Sequence, residues 1–169
     1  LRLALLYILW FLCRIVFYLQ NAGLVGPLEW NEIPGLLRGA GMFDTASILY
    51  VNALFILLSL LPFRFRETRR YQRILCWLYT VTNALALIVN SADGIYFHYA
   101  RKRFTSDELS YLHNNDNTGT VVLKGLAENW YIVLWCALLI AAMVWVYRRI
   151  KAMPTRIENR WAYFGINLA

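Results

Sequence analysis

Residues 130–147, WYIVLWCALLIAAMVWVY, run for eighteen positions without a charge, and Arg148, Arg149 and Lys151 follow at once. As a helix this run is roughly 27 Å long, close to the hydrocarbon thickness of a bilayer. Trp and Tyr stand at both ends. Their apolar ring bodies and polar edges suit the two membrane interfaces. The alternative is a core helix of a soluble protein, and recurrence of the same pattern along the chain weighs against it.

Three further segments read alike. Residues 3–19 are apolar apart from Arg14. Residues 45–61 carry only small polar side chains, and residues 74–92 only Thr, Asn and one Ser. A fifth apolar segment starts at Trp161 and stops at Ala169, too short to cross. The chain opens on Leu1 rather than Met, so both ends read as cut from a longer protein. A composition 60% hydrophobic and 16% aromatic exceeds what a soluble domain carries. The expected fold is therefore an all-α integral membrane bundle: four complete transmembrane helices, the start of a fifth, and short interfacial helices in an outer loop. Arg14 inside the first apolar run, and the lack of a small-residue cleavage site after it, argue against a signal peptide.

The net charge of +7 does not point to nucleic acid, because of where the charges sit. Arg64, Arg66, Arg69, Arg70 and Arg73 fill the link between the second and third spans. Arg148, Arg149, Lys151, Arg156 and Arg160 fill the link after the fourth. The positive-inside rule places both links, and the N-terminus, in the cytoplasm. Residues 20–43 and 93–129 are then outer loops of a multi-pass protein of the bacterial cytoplasmic (inner) membrane. Cys13, Cys76 and Cys136 lie within apolar spans without metal-ligand spacing and read as small packing residues.

Polar residues in a span are costly, so their positions carry information. Tyr7, Trp10, Arg14, Tyr18 and Asn21 share one helical face. Asp44 is expected to open the second helix on its outer side, with Thr45, Asn52 and Ser59 on one face below it. Asn83, Asn90 and Asp93 share a face of the third. Lipid cannot satisfy such faces, so they should meet. The expected structural network is Arg14, Asp44, Asn52, Asn83, Asn90 and Asp93, with Arg14, Asp44 and Asp93 at similar depth near the outer leaflet. Arg14 has a second reading, as a partner for a lipid phosphate or carboxylate.

The outer loop 93–129 is the richest in chemistry. Arg101, Lys102 and Arg103 form a basic triplet on the side that is normally poor in positive charge. Anionic headgroups are one reason for it; pairing with Asp107, Glu108 or a following domain is another. Asp93, Tyr96, Arg101 and Arg103, with Arg14, are the candidate lipid-headgroup residues. Thr105 with Glu108 fits a capping box, so a short helix should begin near Ser106. Residues 114–117 read as a turn, and 120–129 as an interfacial lead into the fourth span. His98 and His113 stand apart from any ligand cluster, and no nucleophile has a plausible base. No metal site and no catalytic residue are assigned.

The five-span layout, the GMFD at residues 41–44 and the block NSADGIYFHYARKRFTSDELSYL at residues 90–112 resemble the N-terminal membrane domain of lipoteichoic-acid-synthase-like transferases of the sulfatase superfamily. Within the block, Tyr96-Phe97 and Arg103-Phe104-Thr105 match best, and the likeness covers nearly the whole chain. The resemblance implies an extracytoplasmic catalytic domain after residue 169, with a threonine nucleophile and a divalent metal, often manganese. It implies transfer of phosphoglycerol or phosphoethanolamine from a membrane phospholipid to an envelope acceptor. None of those catalytic positions falls on this chain. The expected function is thus a membrane-anchoring, lipid-presenting domain, with phospholipid and its own catalytic domain as partners. The alternative is a non-enzymatic polytopic assembly or partner-binding protein. A transporter is a weaker third option, because no Gly or Pro interrupts a span as read here.

Overall fold

A computed structural model describes residues 2–26, 29–60, 68–102 and 118–150. Its regular structure is helical: α1 Arg2–Val25, α2 Ile33–Leu60, α3 Arg69–Ala100, α4 Thr118–Glu128 and α5 Trp130–Arg149. Among the described residues there is no strand. The helices α1, α2, α3 and α5 are long and apolar enough to cross a membrane. The expected fifth span, the helix near Ser106 and the turn at 114–117 lie outside the described residues.

The helices outrun the apolar runs that announced them. The stretch 20–43 was expected as loop, yet α1 continues to Val25 and α2 begins at Ile33. Pro34 stands in the first turn of α2, where a helix needs no backbone N–H. After it Leu36, Leu37, Met42 and Phe43 extend the apolar run, with Arg38 its only charge. Asp44 therefore does not open α2; it sits eleven residues inside it, about 16 Å from its start. Gly26 ends α1 in the left-handed region at φ 81°, its N–H donating to the Ala22 carbonyl at 3.1 Å. Thr68 caps α3 by accepting from the Tyr71 N–H at 3.4 Å. The far end of α3 closes on Arg101, also left-handed (φ 53°), whose N–H donates to Phe97 O.

The middle of the bundle is α3, which packs on α1, α2 and α5; α1 also touches α2 and α5. Hydrogen bonds fix the directions. Tyr79 reaches the Arg2 carbonyl near the start of α1, and Asn21 reaches Gly94 near its end, so α1 and α3 run parallel. Arg2 bonds to Ile150, and Gln20 to Asn129, so α5 runs the other way. Tyr71 bonds to Leu58, and Asn83 to Asn52, so α2 opposes α3. The result is an up-down-up-down bundle. Arg2, Arg148 and Arg149 lie at one end, here called the basic end. Asn21, Gly94 and Asn129 lie at the other, the far end.

The buried seam repeats every three or four residues: Leu6, Leu9 and Cys13 on α1; Ile48 and Phe55 on α2; Leu75, Tyr79 and Leu87 on α3; Cys136, Leu139, Met143 and Tyr147 on α5. The outward faces are no more polar than this seam. Phe11, Leu19, Leu57, Leu138 and Trp145 are all exposed. Such outward faces accord with helices long and apolar enough to cross a membrane.

Candidate functional site

The buried polar groups sit in the seam itself. Asp44 and Asn52 precede and divide Ile48 and Phe55 on α2; Asn83 falls between Tyr79 and Leu87 on α3; Asn21 and Asn129 occupy the far end. In each case an apolar seam position is replaced by an amide or carboxylate, which must find its partner on a neighbouring helix.

Arg14 and Asp44 form the first junction. Arg14 Nη2 donates to Asp44 Oδ1 at 2.6 Å across α1 and α2. The Asp44 side chain is 11% exposed and that of Arg14 is 37% exposed, so the pair is buried mainly on its carboxylate side. On the same α1–α2 face Tyr7 Oη donates to Thr45 Oγ1 at 3.0 Å, and Thr45 in turn donates to the Gly41 carbonyl at 2.6 Å. Arg14 is thus held by Asp44. Asp93 lies elsewhere. Its neighbour Gly94 accepts from Asn21, seven residues beyond Arg14 on α1, or about 10 Å further along the bundle. The expected common depth for Arg14, Asp44 and Asp93 is therefore replaced by two levels.

Asn52 and Asn83 form the second junction. Each amide donates to the other's oxygen, at 3.0 Å from Asn52 Nδ2 and 2.7 Å from Asn83 Nδ2. Each Nδ2 also donates one turn back, to Ile48 O and Tyr79 O. Both side chains are fully buried. This pair lies eight residues from Asp44 on α2, about 12 Å along the helix. Of the six residues expected to form one network, four form two separate pairs, Arg14 with Asp44 and Asn52 with Asn83.

Asn90 joins neither pair. It lines a small crevice between α1, α3 and α5 with Gln20, Ser91 and Trp135. Asp93 and Tyr96 are half-buried on the last turns of α3, Arg101 is exposed at its end, and Arg103 lies outside the described residues. The headgroup candidates thus do not converge on one point: Arg14 belongs to the α1–α2 face, and Asp93, Tyr96 and Arg101 to the far end of α3.

Two clusters went unread in the sequence. At the far end Asn129 Oδ1 accepts from Gln20 Nε2 at 3.4 Å and from Tyr131 Oη at 3.2 Å, while its Nδ2 donates to Gly125 O at 2.8 Å. Asn129 thereby fixes the corner between α4 and α5. At the basic end the Arg2 guanidinium lies 4.1 Å from the centre of the Tyr147 ring and donates to Ile150 O at 3.1 Å. Tyr79 packs tilted against Tyr147, with ring centres 4.7 Å apart, and Phe55 against Tyr79 at 5.1 Å. The signal available for the first cluster is an amide in register with the apolar seam; the apolar runs alone leave both Gln20 and Asn129 in the outer loops.

Among the described residues no three His, Cys, Asp or Glu side chains gather where they could hold a metal ion. In comparisons with protein-family models, curated proteins and solved structures, the chain matches none.

Proposed function

We propose that this chain is the membrane-anchoring and lipid-presenting part of a headgroup transferase, a sulfatase-like enzyme moving phosphoglycerol or phosphoethanolamine from a phospholipid to an envelope acceptor. In this reading the basic end faces the cytoplasm of a bacterial inner membrane and the far end faces outward. The metal and its nucleophile belong to a domain beyond residue 169.

The observation that carries the reading is Arg14. Its guanidinium is held by Asp44 through one Nη, and its side chain as a whole is more than a third exposed. A guanidinium offers five N–H donors in a planar fork, and one carboxylate oxygen uses only part of it. A phospholipid phosphate drawn toward the outer half of the bundle would engage the rest. Arg101 and Lys102, exposed at the end of α3, would meet headgroups at the surface above. Holding the donor beside its enzyme raises its effective concentration without any chemistry in the bundle.

The test is headgroup transfer by the full-length protein in proteoliposomes with labelled phosphatidylglycerol or phosphatidylethanolamine. Arg14→Gln should raise the lipid KM several-fold with kcat little changed, since it weakens binding alone. Wild-type protein that transfers neither headgroup would remove the proposal. A second reading, a non-enzymatic assembly protein, is favoured by Asn52 and Asn83, whose amides are consumed entirely in packing. It predicts no transfer and unchanged lipid binding in Arg14→Gln.

A further inference from the structure

The crevice at the far end of the α1–α3–α5 junction poses a separate question, independent of the transferase reading. Trp135 lines it, and its indole N–H is buried without an acceptor among the described residues. In apolar surroundings a donor left in that state carries the full cost of its lost hydration. The same crevice is lined by groups able to accept. Ser91 Oγ gives its proton to Leu87 O at 2.8 Å, so its lone pairs remain. Gln20 gives an amide proton to Asn129 Oδ1 at 3.4 Å. Its Oε1 lies 3.4 Å from where a Cβ on Gly94 would stand, beside the crevice that Gly94 lines. Gly94, having no side chain, is what keeps this corner open.

The space is about 10 Å³. That is about the smallest volume in which one water fits, and a water needs two to four polar partners. We infer that the crevice holds one ordered water, accepting from Trp135 Nε1–H and donating to Ser91 Oγ and Gln20 Oε1. It joins Trp135 on α5 to Ser91 on α3 and Gln20 on α1, all of which line the crevice. Through Gln20 it stands one hydrogen bond from Asn129, the residue that sets the corner of α4. Asn90, on the same wall, supplies an amide as a further partner.

The experiment is water-selective NMR on the full chain, labelled with ¹⁵N-tryptophan and reconstituted in lipid nanodiscs. Trp135→Phe assigns the indole signal. The expected result is a cross-peak between water and the Trp135 indole proton, with the sign of a bound rather than a bulk water. Ser91→Val, which removes the acceptor and fills the space with methyl groups, should reduce that cross-peak at least several-fold while leaving the Trp145 indole unchanged. A wild-type indole with no water cross-peak would overturn the inference, as would a cross-peak to lipid methylenes in its place. Persistence of the full cross-peak in Ser91→Val would also overturn it. If Ser91→Val does not fold, the wild-type spectrum still decides between a wet and a dry site.

Discussion

Arg14 on α1 and Asp44 on α2 meet at 2.6 Å inside the bundle, eleven residues from the start of α2. Each explains the other's position. A lone guanidinium at such depth costs on the order of 2.5–3.5 kcal/mol on insertion scales, and a lone carboxylate a similar amount. Together they are a neutral, hydrogen-bonded pair. Replacing Asp44 alone with Leu should therefore destabilise the protein by about 1–3 kcal/mol, less than a fully buried pair because Arg14 is partly exposed. The double change Arg14→Leu with Asp44→Leu should cost less than either single one. Unfolding in detergent checks this; simple additivity of the two single effects would mean that the pair is not coupled.

The reciprocal amide pair gives a second cycle. Asn52→Ala and Asn83→Ala should each loosen α2 from α3. Their coupling energy should fall near 0.6–1.7 kcal/mol, the range found for hydrogen bonds between membrane helices. The four unfolding free energies of the cycle measure it directly. A coupling near zero would assign the stability of this interface to its apolar neighbours.

Gly94 supports a test of close approach. A Cβ there would stand 3.4 Å from Gln20 Oε1 and 3.5 Å from Phe17 Cδ2, ordinary contact distances. Gly94→Ala should be tolerated, whereas Gly94→Leu should force α1 away from α3 and cost about 1–3 kcal/mol. Gly35, with nothing within 4 Å of its would-be Cβ, is the control and should accept Leu with little change. Melting temperatures of the three variants decide it.

Orientation is testable by thiol labelling in intact cells, on a background lacking Cys13, Cys76 and Cys136. The positive-inside rule predicts that an impermeant reagent labels Asn115→Cys and spares Arg69→Cys. The reverse pattern would invert the bundle and place the basic end outside.

The end of α3 carries the last prediction. Arg101→Ala and Arg103→Ala should weaken use of an anionic lipid donor by full-length protein at equal expression, through donor affinity more than turnover. Normal affinity and turnover in both variants would reduce the basic triplet to scaffolding.

Much of this fold was legible because apolar runs of bilayer length leave few alternatives to helices, and their periodicity marks one buried stripe on each. The same reading puts Arg14, Asn52 and Asn83 on polar faces expected to meet, because an apolar surrounding offers polar groups no other partner. What the sequence could not state was which helix meets which, and at what level. Asp44 looked like the start of a helix, since an acidic residue before an apolar run usually caps one. Only the arrival of Arg14 from α1 makes a carboxylate acceptable inside α2. Asn129 and Gln20 looked like loop residues because an amide at the end of an apolar run carries no mark of its partner. The pairing of Asn52 with Asn83, and the separation of Arg14 from Asp93, follow from the rotation and axial offset of α1, α2 and α3 about one another. Those offsets are set by side-chain interlocking along the whole seam, a property of several helices at once and of no single segment.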